Sequence, residues 1–242
     1  MSAIKSAWFG PTATNGSRLL GLAALAGVLW LLAFGLLFSP RDVTQQESVR
    51  ILYVHAPTAW VAYLAFGVTA VTSGIYLFSK RHSLGWDRVA AASAEVGVLF
   101  MGCTLVAGMM WGRLTWGVFW RWDARLTTTA FLFVTYLGYL AVRGLGGTHE
   151  RRAKRSAIVA LLAVLEIPLV HFSVEMWRSL HQEASVLRRD GDIKMDGLML
   201  FTLWTGVVAF TLLYIWLVMH RQRALTAEDY LDDEGLDAEI AQ

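Results

Sequence analysis

The sequence predicts an all-α integral membrane protein with six transmembrane helices, and three observations predict it. Apolar residues make up 56% of the 242-residue chain and charged residues 17%, where a soluble domain carries about 25% charge. Mean hydropathy is +0.48. The apolar residues also fall into six separate runs, each close to the roughly 20 residues that cross a bilayer as a helix.

The first run, 18–38, is longer than the 7–15 apolar residues of a secretory signal, and Phe38-Ser39-Pro40-Arg41 offers no small-x-small cleavage site. It is expected to stay as a span. The second, 53–79, opens on Tyr53-Val54-His55-Ala56-Pro57, and Pro57 suits a first helical turn, where its missing N–H costs little. The third, 89–110, contains Glu95 and the lone Cys103. One cysteine allows no internal disulfide and no zinc or iron–sulfur framework, and without C-x-x-C-H the chain is not itself a c-type cytochrome. Cys103 reads as a small core or lipid-facing residue. The fourth run is 126–143, and the fifth, 156–173, holds Glu166 beside Pro168. Carboxylates inside a membrane default to a functional reading. For Glu95 and Glu166 the preferred alternative is an interhelix hydrogen bond or a protonated acid facing a partner. The sixth run is 198–220.

Residues 1–225 therefore form one six-helix membrane domain, without repeats or low-complexity tracts. Residues 226–242 form an acidic tail, with seven acidic side chains from Glu228 onward, expected to be solvated and poorly ordered. A partner-docking role for that tail is the alternative. A net charge of +2 gives no argument for nucleic acid. An even number of spans puts both termini on one side, and that side holds 12 of the 21 lysines and arginines, including Lys5 and the cluster 151–155. The positive-inside rule then makes the termini cytoplasmic. Loops 39–52, 111–123 and 174–197 face outward, the last with Arg188 and Arg189.

The second outward loop is unusual. Trp111, Trp116, Trp120 and Trp122, four of the eleven tryptophans, fall within twelve positions. Interfacial anchoring by an aromatic belt is one explanation. It leaves unexplained the glycines Gly112 and Gly117 and the interleaved Arg113, Arg121, Asp123 and Arg125. A planar apolar ligand bearing carboxylates explains both: indoles stack on its ring and guanidinium groups fork to its acids. A porphyrin with two propionates fits. Asp123 also reads as the N-cap of the fourth helix, and the two roles are compatible.

The stretch W-G-x-x-x-W-G-x-x-W-x-W-D-x-R-L-T, residues 111–127, closely resembles the WWD signature of the haem-handling proteins of cytochrome c biogenesis. Its A-R-L-T ending is similar to the cytochrome c maturation protein C branch (CcmC, haem exporter protein C), not to the synthase branch with W-D-P-K-E-T. Length and span number agree, so the resemblance covers nearly the whole chain. Leu114 stands where many members carry proline, which leaves the loop's stiffness open.

The resemblance also selects among the six histidines. The segments around His55 and around His181, the latter running from His171 to Gln182, look like those that carry the family's two haem-ligating imidazoles. Both lie on the outward side in the topology above. His171 sits deeper and reads as a hydrogen-bonding residue. The resemblance implies haem b as the bound group, axial iron ligation by His55 and His181, and contact from Trp111, Trp116, Trp120, Trp122, Asp123 and Arg125. It further implies a bacterial inner-membrane location, haem held at the periplasmic face, and transfer to the haem chaperone CcmE. The implied partners are the ABC-transporter subunits CcmA and CcmB and the small membrane protein CcmD. No nucleophile or acid–base pair identifies itself as catalytic. Two other functions stay open: a permease for haem or another solute, which discontinuous midplane helices would favour, and a cytochrome b-type redox subunit.

Overall fold

A computed structural model describes residues 14–181, 186, 191 and 193–240; Lys5, Arg188 and Arg189 of the charge tally lie outside them. The described elements are α1 (Asn15–Leu37), a 3₁₀ turn (Glu47–Ile51), α2 (Leu52–Phe78), α3 (Leu84–Trp116), α4 (Ala124–Arg143), α5 (His149–Ala163), α6 (Glu166–Met176) and α7 (Gly197–Ile240). Six stretches among them are long and apolar enough to cross a membrane, α5 and α6 together making the fifth. The expected six spans are present. Helix starts carry their own signals: Thr14, Ser83, Asp123 and Thr148 each accept a hydrogen bond from a first-turn backbone N–H, the role these side chains play at N-caps.

The core centres on α2, which packs on α3, α5 and α7, while α1 leans on α7 and α4 lies against α3, α5 and α6. In lipid, close backbone approach and polar contacts replace the hydrophobic drive between helices. Gly97 supplies the approach: a Cβ there would lie 2.6 Å from the Phe66 ring and 2.9 Å from Ala65 Cβ. Buried hydroxyls supply the rest. Ser93 Oγ donates to the Ala65 carbonyl at 2.7 Å and pairs with the Tyr214 hydroxyl at 2.7 Å, tying α2, α3 and α7 together. The Phe66 and Tyr136 rings stack at 3.5 Å.

Four details differ from the sequence reading. First, α3 runs on through Trp116, so Trp111 and Trp116 lie on a helix, and the connection to α4 is only 117–123. A single glycine such as Gly112 costs a helix interior only about 1 kcal/mol, and the stop comes at Gly117, whose φ of 78° ends the helix in the left-handed region. Second, Pro57 lies inside α2 beyond its first turn, because the helix begins at Leu52 directly after the 3₁₀ turn. Third, the fifth span is broken between α5 and α6. Pro168 has no N–H to offer the Val164 carbonyl, which accepts instead from Ile167 N at 3.1 Å. Fourth, residues 226–240, the described part of the acidic tail read at 226–242, continue α7, and Asp229 there is buried.

The end of the bundle opposite the tryptophans is closed by ion pairs. Arg143 at the end of α4 forks onto buried Asp87 at the start of α3, both N···O distances 2.6 Å. Asp229 of α7 accepts from Arg88 Nε at 2.7 Å and Arg152 Nη2 at 2.6 Å. Arg221 binds Glu95 and reaches Glu228 at 2.7 Å, so Glu95 takes the interhelix role. Glu166 accepts from Thr135 Oγ1 at 2.9 Å, leaving its Oε2 buried without a partner among the described residues. Cys103 is exposed on the outer surface of α3.

Candidate functional site

The tryptophan end is where α3 finishes, α4 begins and the first turns of α2 stand beside them. His55 lies on the second turn of α2, facing α3. Its Nδ1 sits 3.1 Å from the Thr104 carbonyl, an acceptor only, so Nδ1 carries the proton and donates it. Gly108 makes room for this: a Cβ there would be 3.0 Å from His55 Cε1. One turn further along α3, the Trp111 indole meets His55 edge to face, centroids 5.7 Å apart.

His181, on the segment after α6, approaches the same end of α3. Its ring meets Trp116 edge to face at 4.9 Å, and its Nδ1 lies 3.1 Å from Asp123 Oδ1. Asp123 also accepts from Arg125 N at 3.0 Å, capping α4, and from Leu180 N at 2.6 Å. One carboxylate thus starts the helix, as expected of an N-cap, and ties the segment after α6 to it. Burial alone would push the Asp123 carboxyl up. The Leu180 and Arg125 amides, the Ser179 hydroxyl and His181 outweigh it and hold the group below its ordinary value. Burial moves His181 the other way for its charge type, below the ordinary histidine value; Asp123 pulls against that shift and Arg125 adds to it. The result is a neutral imidazole with its proton on Nδ1.

The two rings therefore share a pattern. In each, Nδ1 is engaged by an oxygen of the protein, and Nε2 has no hydrogen-bond partner among the described residues. An imidazole in that state presents a basic lone pair at Nε2, the form that binds a metal. Their aromatic neighbours, Trp111 and Trp116, are five residues apart on one helix, about 7.5 Å along its axis at 1.5 Å per residue. His55 and His181 also lie within electrostatic reach of one another, and Arg125 within reach of both.

The remaining expected residues are placed differently. Trp120 and Trp122 pack on each other at 5.6 Å, with Trp122 82% exposed; their ring contacts are mutual, not with the histidines. Arg113 is turned back onto its own helix end, donating to the Gly117 carbonyl and lying 5.8 Å over the Phe119 ring. Arg125 donates to the His171 carbonyl at 2.8 Å, while the His171 ring packs on Phe172. Arg121 and Arg178 are exposed and line, with Trp122, Asp123, Ser179 and Leu180, an open surface pocket of about 320 Å³. Thr104 and Gln45 escaped the sequence reading. Gln45 Oε1 accepts the Trp111 indole N–H at 2.8 Å. A carbonyl role leaves no trace in residue type, and a pair of glutamines in a polar loop carries no pattern. Among the described residues, no cluster of three or more histidine, cysteine or acidic side chains could hold a bare metal ion.

Residues 2–234 match the family model described as heme exporter protein C. The chain is 37% identical over 218 residues to a heme exporter protein C of Bradyrhizobium diazoefficiens, an alignment covering 86% of this chain and 82% of that protein. It is 38% identical over 201 residues to a heme exporter protein C of Haemophilus influenzae, covering 81% and 77%. A cytochrome c biosynthesis ccmC-like mitochondrial protein of Marchantia polymorpha is 37% identical over 167 residues, covering 67% and 70%.

Proposed function

This chain belongs to the heme exporter protein C family, and we propose that it handles haem in cytochrome c biogenesis by holding the porphyrin between His55 and His181 at one face of the membrane. The observation that carries this reading is the pair of imidazoles at one end of α3, each with Nδ1 engaged and Nε2 available. Two neutral imidazoles are a donor set suited to haem iron. A site for a bare cation would need more ligands than these. The indoles of Trp111 and Trp116 wall the two rings, and the exposed Trp120–Trp122 pair offers further aromatic surface for a porphyrin face.

Haem b is the form we infer, since no C-x-x-C-H is available to attach it. Of the arginines, Arg125 lies within electrostatic reach of both histidines and suits a propionate. The haem is cargo. The residues of this chain bind it, fix its orientation and keep the axial ligands neutral, and orientation of a bound group is itself a source of rate. We infer an inner-membrane location with cytoplasmic termini, residues 226–242 as the cytoplasmic tail, and the tryptophan end in the periplasm. There haem would pass to the chaperone CcmE, with CcmA, CcmB and CcmD as partners in the same system.

Absorption spectra of purified wild type beside His55→Ala and His181→Ala test the site. Both substitutions should weaken or change the axial-ligand bands; if both variants keep the wild-type spectrum and still load the chaperone, the ligand assignment fails. One observation favours a permease instead. The fifth span is discontinuous beside Glu166, whose Oε2 has no partner among the described residues, and transporter sites are often built on broken helices. Haem uptake by vesicles carrying the chain alone would support that second reading.

A further inference from the structure

We infer that Gln45, in the first connection of the bundle, is a positioning residue for His55. The inference rests on the haem-site reading above and extends the site to a segment that carries no ligand. It starts from the indole. Trp111 has a single polar atom, the Nε1–H donor, and that atom is satisfied by Gln45 Oε1 at 2.8 Å. The rest of the indole is in edge-to-face contact with His55. The orientation of Trp111 therefore depends on where Gln45 stands.

Gln45 stands on a segment built to hold it. Asp42 Oδ1 accepts from the backbone N–H of Thr44 at 2.8 Å and of Gln45 at 2.7 Å. Asp42 and Gln46 pair through both backbone groups, at 3.3 and 3.0 Å. Gln46 is held at φ 51°, a conformation costly for a residue other than glycine, so the surrounding contacts must enforce it. Glu47 then bridges Arg41 and Arg50, and the 3₁₀ turn Glu47–Ile51 runs straight into α2, which bears His55. Two links bear on the His55 ring, its own hydrogen bond to the Thr104 carbonyl of α3 and that of Gln45, on the connection before α2, to Trp111; Thr104 Oγ1 also donates to Thr58 Oγ1 at 3.0 Å between the same two helices. The first link fixes the proton on the imidazole. The second fixes the ring's aromatic wall, and so the direction in which Nε2 points.

The test uses purified, haem-loaded full-length protein and two readouts, the axial-ligand absorption bands and the rate of haem loss to an excess of an apo-haem-protein scavenger. Gln45→Leu removes the acceptor. Loss of one such hydrogen bond should speed haem release about two- to ten-fold and shift the bands. Gln45→Glu keeps an acceptor oxygen and should stay near wild type. Trp111→Phe keeps an aromatic ring against His55 but lacks the donor, so Gln45→Leu on that background should add nothing further. Wild-type bands and release in Gln45→Leu, or full additivity with Trp111→Phe, overturns the inference. If Gln45→Leu does not fold, the comparison of Trp111→Phe with wild type decides it, unchanged bands and release counting against. His55→Ala separates the two levels. An unaltered spectrum there sinks the haem-site reading, whereas an altered one beside a silent Gln45→Leu sinks only the positioning role.

Discussion

Asparagine at position 123 can still cap α4 through its carbonyl oxygen, but it lacks the charge that Asp123 presents to His181 at 3.1 Å. Asp123→Asn therefore removes the charge facing the imidazole, and with it one of the two acceptor oxygens, the one that now takes the Leu180 N–H at 2.6 Å. Outer-shell carboxylates of this kind raise ligand basicity and hold the tautomer, and losing them typically weakens metal affinity about 10- to 100-fold. Haem titration of the purified variant should read a loss of that order, beyond the modest loss of thermal stability that an unpaired Leu180 N–H brings. The pH dependence has a definite sign. His181 is held below the ordinary histidine value, mainly by burial, so wild-type haem binding should persist as pH falls past about 6.5 and be lost only at the lower folded value. Asp123 raises the His181 value, so its removal should move that acid limb to still lower pH. At this scale the cap that Asp123 makes on α4 was legible, because its residue type and place before the apolar run signal an N-cap, whereas His55 and His181 were picked out only by the resemblance of their segments. The Thr104 carbonyl and Gln45 were not legible, since both depend on which turn of α3 faces α2.

At the scale of elements, spans could be read from hydropathy but their ends could not. Hydropathy falls where polar residues begin, yet a helix continues until a backbone signal stops it, so α3 carries Trp111 and Trp116 past the apolar run and stops at Gly117. The break in the fifth span needed the same kind of information, namely how the backbone resolves Pro168. Gly117 is thus the position that sets where the connection to α4 begins. A β-branched residue at its φ of 78° costs about 1–2 kcal/mol or more. Gly117→Val should lower the melting temperature in detergent and weaken haem binding together, because Arg113 bonds the Gly117 carbonyl and the Trp120–Trp122 pair follows it. A variant that melts earlier but binds haem as wild type would detach this turn from the site.

Across the whole molecule, the two ends of the bundle have separate chemistry. The tryptophan end gathers neutral imidazoles and indoles, while the opposite end is closed by Asp87–Arg143, Glu95–Arg221 and the cations around Asp229. Removing one member of a buried ion pair costs about 3–5 kcal/mol. Arg143→Gln should therefore lower thermal stability strongly, while any folded fraction keeps the wild-type haem spectrum. A changed spectrum in folded Arg143→Gln would mean that the ends are coupled through α3 and α4. The topology tally counted the arginines of these pairs but neither their acidic partners nor the pairing. Asp87 and Arg143 stand 56 residues apart, and only the packed bundle brings them together.

The last helix bears on such coupling. At 1.5 Å per residue its 44 residues measure about 66 Å, roughly twice a 30 Å hydrocarbon core, and no proline interrupts it. About 48 Å along it from Gly197, Asp229 is gripped by Arg88 and Arg152. One unbroken helix thereby ties the ion-paired end of the bundle to the end where the tryptophans gather.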